Sequence, residues 1–237
     1  GGHQRTDGVP TSRFGSREIG AENSALSGRF GYQASETLRF RAIARYSRTE
    51  GDSNDQDFGF PPGPTYGFVI DSDDTFETRA FYGLLRGELD TLEGRWTHAL
   101  SAQTVDARRD AFSEGGFANG HDGNRVRFSY ESSLRFGTEL FRQTLTAAFD
   151  HEREEFQNRG AFLTDEQTLE RDITNEGIVL QYDANVNERL GFGAAIRHDD
   201  NDRFEDDESF RVQGSYRLSG GTRLRAAAGS GIKNPDI

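Results

Sequence analysis

The sequence contains no cysteine and no methionine, and only five prolines and one tryptophan in 237 residues. Lack of cysteine excludes disulfides, thiolate metal sites and a cysteine nucleophile, and it suits an exported protein. No run reaches the roughly 18 apolar residues that a membrane-crossing helix needs. Positive charge is also short: 28 Lys and Arg stand against 40 Asp and Glu, a formal charge of −12. That balance argues against a nucleic-acid partner, which requires a clustered basic surface. Catalytic spacing is missing too. There is no GxSxG, no HExxH and no spaced Ser/His/Asp set, and His151-Glu152 in HEREEF lacks the second histidine of a zinc helix. His98, His151 and His198 fall on or beside apolar strand faces and read as structural, so a non-enzyme is expected. GGHQRTDGVP carries no initiating methionine and no charged-then-apolar leader. The expectation is an internal or processed piece of a longer protein.

What is present is a period of two. In the stretch from Arg125 to His151, Val126, Phe128, Tyr130, Ser132, Leu134 and Phe136 share one parity, and Arg125, Arg127, Ser129, Glu131, Ser133 and Arg135 the other. Only an extended strand turns that pattern into two chemically opposite faces. After a break at Gly137-Thr138-Glu139 the alternation resumes through Phe141, Leu145, Ala147 and Phe149, giving a hairpin. Each arm spans about 12 residues or more, against about 5 to 6 for strands of soluble sheets. The same rhythm recurs at Ser24–Tyr32, Leu38–Ser47, Phe76–Leu89, Arg95–Asp106, Ile178–Val186, Leu190–Ile196 and Phe210–Ala228. The five prolines lie outside these runs, as a hydrogen-bonded ladder requires.

The connections alternate. Short turns fall near residues 35, 92, 138, 187 and 220, and long loops near 63, 117, 162 and 203, with residues 1–23 a further loop. Long loops at one end and short turns at the other are the signature of an outer-membrane barrel, in which turns are periplasmic and loops extracellular. The expected fold is therefore all-β: an antiparallel up-and-down transmembrane β-barrel segment of about ten strands. A mean hydropathy of −0.79 is no objection, because strands that face lipid with every second residue average out. Trp96, Phe136, Phe141, Phe192 and Tyr216 lie near short turns, where an aromatic girdle against outer-membrane lipid belongs. A soluble β-sandwich is the alternative fold.

Two stretches resemble TonB-dependent outer-membrane receptors. RLRAAAGSGIKNPDI is similar to a family strand exit, with Gly229, Gly231, Ile232, Lys233 and Pro235 in the Gly-x-Gly, apolar, basic and x-Pro positions. SGRFGYQASETLRFRAIARYSRTEGDSND is similar to the arm, turn, longer arm and Asp-rich loop of vitamin B12 receptor-like members. The resemblance implies active import of vitamin B12 or a ferric siderophore, a small-molecule nutrient. It also implies coupling to TonB through a plug domain absent from this sequence, in a barrel of about 22 strands. A passive porin-like channel is the functional alternative.

Two kinds of loop residue carry candidate sites. Phe58, Phe60, Tyr66 and Phe68 concentrate aromatics on a proline-stiffened loop, suited to a flat, partly apolar ligand or to packing on one another. Asp52, Asp55 and Asp57 supply hard oxygens, with Asp71, Asp73 and Asp74 at the loop's far end and Asp199, Asp200 and Asp202 in a later loop. Calcium takes six to eight such ligands, and the resemblance implies calcium-ordered loops; solvated acidic loops are the other reading. Arg39, Arg41, Arg45, Arg125, Arg127 and Arg135 occupy the polar parity, which in a barrel faces the lumen.

Overall fold

The alternating stretches become strands that pair with their neighbours in sequence. The computed structural model describes residues 1–160 and 163–231. Its strands are β1 (Gly2–Thr6), β2 (Ala21–Gln33), β3 (Leu38–Asp52), β4 (Asp55–Gln56), β5 (Val69–Ile70), β6 (Thr75–Thr91), β7 (Trp96–Ser113), β8 (Gly116–Gly137), β9 (Phe141–Gly160), β10 (Arg171–Val186), β11 (Leu190–Asn201), β12 (Asp207–Arg217) and β13 (Arg223–Gly229). Eleven form one antiparallel sheet in the order β1-β2-β3-β6-β7-β8-β9-β10-β11-β12-β13, while β4 and β5 make a small hairpin inside the loop joining β3 to β6. The eleventh strand is β1, which lies in a segment the periodicity assigns to a loop. Among the described residues the sheet is open, with β1 and β13 at its edges.

Three expected loops prove to be largely strand. The glycine-rich segment 110–123 is a hairpin tip: β7 and β8 close through Glu114 and Gly115 alone, with φ of 52° and 76°. Those left-handed angles match the twist of the flanking strands. Segment 152–172 holds the upper part of β9 and the first residues of β10, with a single-turn helix α1 (Asp165–Thr168), capped by Thr164, between them. The acidic stretch 198–208 contributes the end of β11 and the start of β12. Connections 7–20 and 53–74 remain long, so the alternation of short and long connections is a contrast in strand composition as much as in loop length.

Cross-strand register aligns the apolar parity of every strand on one face. One row runs Leu38, Leu89, His98, Ser132, Ala147, Leu180, Ile196 and Phe210 across β3, β6, β7, β8, β9, β10, β11 and β12. Leu100, Phe128, Ile178 and Ile196 on this face are all more than half exposed, and Ala99 is the sole buried hydrophobic residue among those described. The sheet thus has no core of its own on this side. Ladder hydrogen bonds hold it, and the hydrophobic effect favours covering the face with something apolar.

The upper limit of the apolar run drifts along the sheet. On β3 it lies at Tyr46, below Arg48; on β12 it lies at Phe210, in the row of Leu38. A drift of about 8 residues over about seven strand spacings, at about 3.3 Å per residue and about 4.8 Å per spacing, corresponds to a tilt of about 38°. Strands of closed barrels tilt about 35–45°. On β8 the run from Val126 to Phe136 covers about 33 Å of strand, or about 26 Å when projected at that tilt, close to the about 25 Å apolar band of outer-membrane barrels. Above it the same face becomes charged. Arg48 and Arg79 both reach Glu77 at 2.5 Å, and Arg108 reaches Asp110 at 2.9 Å. β8 and β9 continue as paired strands far beyond the band.

Candidate functional site

Loops 7–20 and 53–74 dock on each other, and Arg17 is the centre of the contact. Its guanidinium donates to the Ser53 carbonyl at 2.7 Å, to Asp52 Oδ1 at 2.9 Å, to the Asp74 carbonyl at 3.3 Å and to Asn54 Oδ1 at 3.5 Å, with a further short bond to the Ser72 carbonyl. Asp71 answers from the other loop, accepting from the backbone N–H of Ser16 at 2.8 Å and of Arg17 at 3.0 Å. A Cβ at position 15 would overlap the Asp71 carboxylate, so a side chain there would displace that carboxylate from its present position. The backbone donors, that of Arg17 foremost, hold Asp71 below the usual carboxylate range against the opposing effect of burial.

The candidate acids therefore have assigned partners. Asp52 binds Arg17 and accepts from Gly20 N–H at 3.1 Å. Asp57 accepts from the Thr65 hydroxyl at 2.6 Å and from Gly59 N–H at 2.8 Å; these bonds, Thr65 first, lower its pKa. Asp55 caps its own neighbour, accepting from Gln56 N–H at 2.8 Å. Among the described residues no three Asp, Glu or His side chains converge as a metal site would need. The oxygens surrounding one point in this loop, two side-chain and three carbonyl, surround the guanidinium of Arg17.

The four aromatics do not form one cluster. Phe58 and Tyr66 pair edge to face with centroids 5.9 Å apart, whereas Phe68 packs against Phe14 at 5.8 Å with Arg13 over its ring at 4.8 Å. Phe60 stands alone, 94% exposed at the loop tip. The sequence reading missed Arg13, Phe14 and Arg17, which lie in a segment without periodicity. Of the strand-exit motif, Gly229 closes β13 and Gly231 follows it, while Lys233 and Pro235 lie outside the described residues.

The polar sheet face is cross-linked by ion pairs. Asp150 is buried between Arg127 at 3.3 Å and Arg197 at 3.0 Å, and Arg39 bridges Glu88 at 3.5 Å and Asp90 at 2.9 Å. These groups lie opposite the apolar band in the register, and they present charge and hydrogen-bonding capacity without a nucleophile–base pair. On the apolar face, His98 bonds the Tyr130 hydroxyl at 2.7 Å and packs against Trp96, a structural use of the imidazole.

A tilted sheet with an apolar band on one face and an ion-paired polar face on the other is the wall of a large antiparallel β-barrel. In particular, the fold is that of the barrel of TonB-dependent receptors. The chain superposes on the siderophore receptor PirA from Pseudomonas aeruginosa with a TM-score of 0.72 and 16% identity, over 92% of this chain and 35% of that one. PirA from Acinetobacter baumannii gives 0.72 and 16%, over 98% and 37%, and the RagAB peptide transporter 0.67 and 11%, over 90% and 33%. The chain thus spans about a third of the length of the structures it matches. No family model matches it, and no curated protein does.

Proposed function

We propose that this chain is part of the barrel of an outer-membrane receptor that imports a scarce small-molecule nutrient, without catalysis, by TonB-coupled transport through a plug outside this sequence. The observation that carries the reading is the band about 26 Å high and tilted about 38°, which fits a lipid hydrocarbon layer and an oblique barrel strand. The apolar face meets outer-membrane lipid, the short turns face the periplasm, and the docked loops face the exterior. A ferric siderophore is the favoured cargo, supported by the names of the PirA structures; vitamin B12 is the second candidate.

This chain has no cysteine, so once any cysteine outside it is replaced the topology is directly testable. In the full-length protein on intact cells, Phe60→Cys at the loop tip should react with a membrane-impermeant maleimide, and Leu100→Cys at mid-band should not. Equal labelling at both positions would overturn the membrane placement. Binding of a ferric siderophore against cobalamin by the purified full-length protein then distinguishes the two cargoes.

A further inference from the structure

The apolar face carries a polar cluster whose hydrogen bonds do not close. The Trp96 indole N–H on β7 donates to Ser132 Oγ on β8 at 2.8 Å, and His98 Nδ1 lies 2.7 Å from the Tyr130 hydroxyl. The rings pack as one unit, Trp96 and His98 with centroids 4.5 Å apart, His98 and Tyr130 stacked at 6.2 Å. Both strands are paired on each side here, Trp96 and His98 with Thr91 and Leu89 on β6, Tyr130 and Ser132 with Phe149 and Ala147 on β9. The cluster is therefore remote from the open edges of the sheet. A neutral imidazole has one N–H donor and one acceptor nitrogen, and a tyrosine hydroxyl has one donor. If Tyr130 donates to Nδ1, the imidazole proton sits on Nε2, without an acceptor among the described residues; if Nδ1–H donates to Tyr130, the phenolic proton is left over instead. The Ser132 hydroxyl, having accepted from Trp96, leaves a further proton without an acceptor among the described residues.

Position decides what those donors meet. β7 begins at Trp96, against the short turn 92–95, and His98 is one outward step higher, about 5 Å at about 3.3 Å per residue and the tilt of about 38°. The leftover donors thus lie just inside the periplasmic end of the band, where water is scarce and an unmet donor is costly. The glycerol esters of a phospholipid present carbonyl oxygens at this depth. The cluster's neighbours in the register, Leu89, Leu100, Leu134 and Ala147, are uncharged, which suits a neutral ester oxygen rather than a phosphate. Above it Leu100 and Leu85, both more than half exposed, offer an apolar track continuous with the band. We infer that this cluster is a binding site for one phospholipid of the periplasmic leaflet, held by an ester carbonyl oxygen with its acyl chain on Leu100 and Leu85. The inference rests on the proposed membrane placement and adds a specific lipid site to it.

Native mass spectrometry of the full-length protein, purified in detergent, tests it. The parent should retain a phospholipid. His98→Phe combined with Tyr130→Phe keeps the rings and removes the donors, and it should lower retention at least about fivefold, with normal amounts in the outer membrane. Tyr182→Phe on the same face should leave retention unchanged, because that hydroxyl already donates to Gln143 Oε1 at 2.6 Å. No phospholipid on the parent, or equal retention by the double variant, overturns the site. Relipidation of delipidated parent then compares a diester phospholipid with a diether of the same headgroup, which keeps the phosphate and lacks the ester carbonyls. The diether should bind at least about fivefold more weakly, and equal binding overturns the ester as the group recognised. Maleimide labelling of Leu100→Cys on intact cells reports the placement separately. Protection there with no lipid on the parent refutes this site alone, whereas labelling there overturns the placement and the site together.

Discussion

Arg17 organises the outer loops more than any of the acids around it, because one planar cation satisfies oxygens from two separate stretches of chain, 52–54 and 72–74. Arg17→Ala should leave those oxygens competing for water and free the two loops; hydrogen bonds to a charged group contribute about 1.5–3 kcal/mol each where shielded, less here because the site is partly exposed. The expected result is faster protease cleavage within 53–74 on intact cells. Arg17→Lys should restore little, since an ammonium cannot spread over a planar set of acceptors. Unchanged cleavage in the alanine variant would show that the loops hold together without it. Acid should do the same by another route. Asp57 and Asp71 have depressed folded pKa values, so what they contribute is fully present above the unfolded carboxylate value of about 4, and it is lost as pH falls from there through the folded values. Loop protection measured against pH should therefore hold to about pH 4 and decay below it. The acids were legible in the sequence as a dense set of oxygens. Their partner was not, since a lone arginine in GSREIG carries no periodic signal and only folding brings residue 17 to residues 52 and 74.

At the level of the strand, position along the sheet decides what a substitution does. Leu100 lies at the middle of the apolar run on β7, 64% exposed, while Gln103 faces the polar side of the same strand. Leu100→Arg should cost about 2–4 kcal/mol in the bilayer, as a cation at the midplane of a lipid-facing strand does, and Gln103→Arg should cost under about 1 kcal/mol. Reversible urea unfolding of the full-length protein in lipid vesicles reads the difference, and equal costs would mean that the apolar face does not meet lipid. This geometry also explains which strands the sequence revealed. Within the band one face is apolar and the other polar, and the alternation is plain from Val126 to Phe136. Above it both faces are wet, so Arg108, Asp110 and Asp122 on one side and Arg109 and His121 on the other leave no period to detect. Glycines and acids then imitate a loop across 110–123, although the backbone pairing there continues without interruption apart from one irregularity at Ala111 and Phe112.

For the whole molecule, the eleven strands form a wall with two open edges and one uncovered apolar face. Both are unstable in water. An unpaired edge offers free N–H and C=O groups to any other strand, and a contiguous apolar surface larger than a few hundred Å² drives association. A soluble sandwich of the same length would instead bury its apolar parity between two layers. The two architectures therefore separate by a simple measurement on the 237-residue chain alone. After dilution from denaturant into detergent-free buffer, the barrel wall should form large β-rich aggregates at micromolar concentration, and detergent micelles should suppress them by covering the face. Light scattering with circular dichroism reads both effects. A detergent-independent monomer with a cooperative thermal transition would remove the membrane placement altogether, because a wall that needs neither lipid nor neighbouring strands has another way of covering Leu100, Phe128 and Ile178.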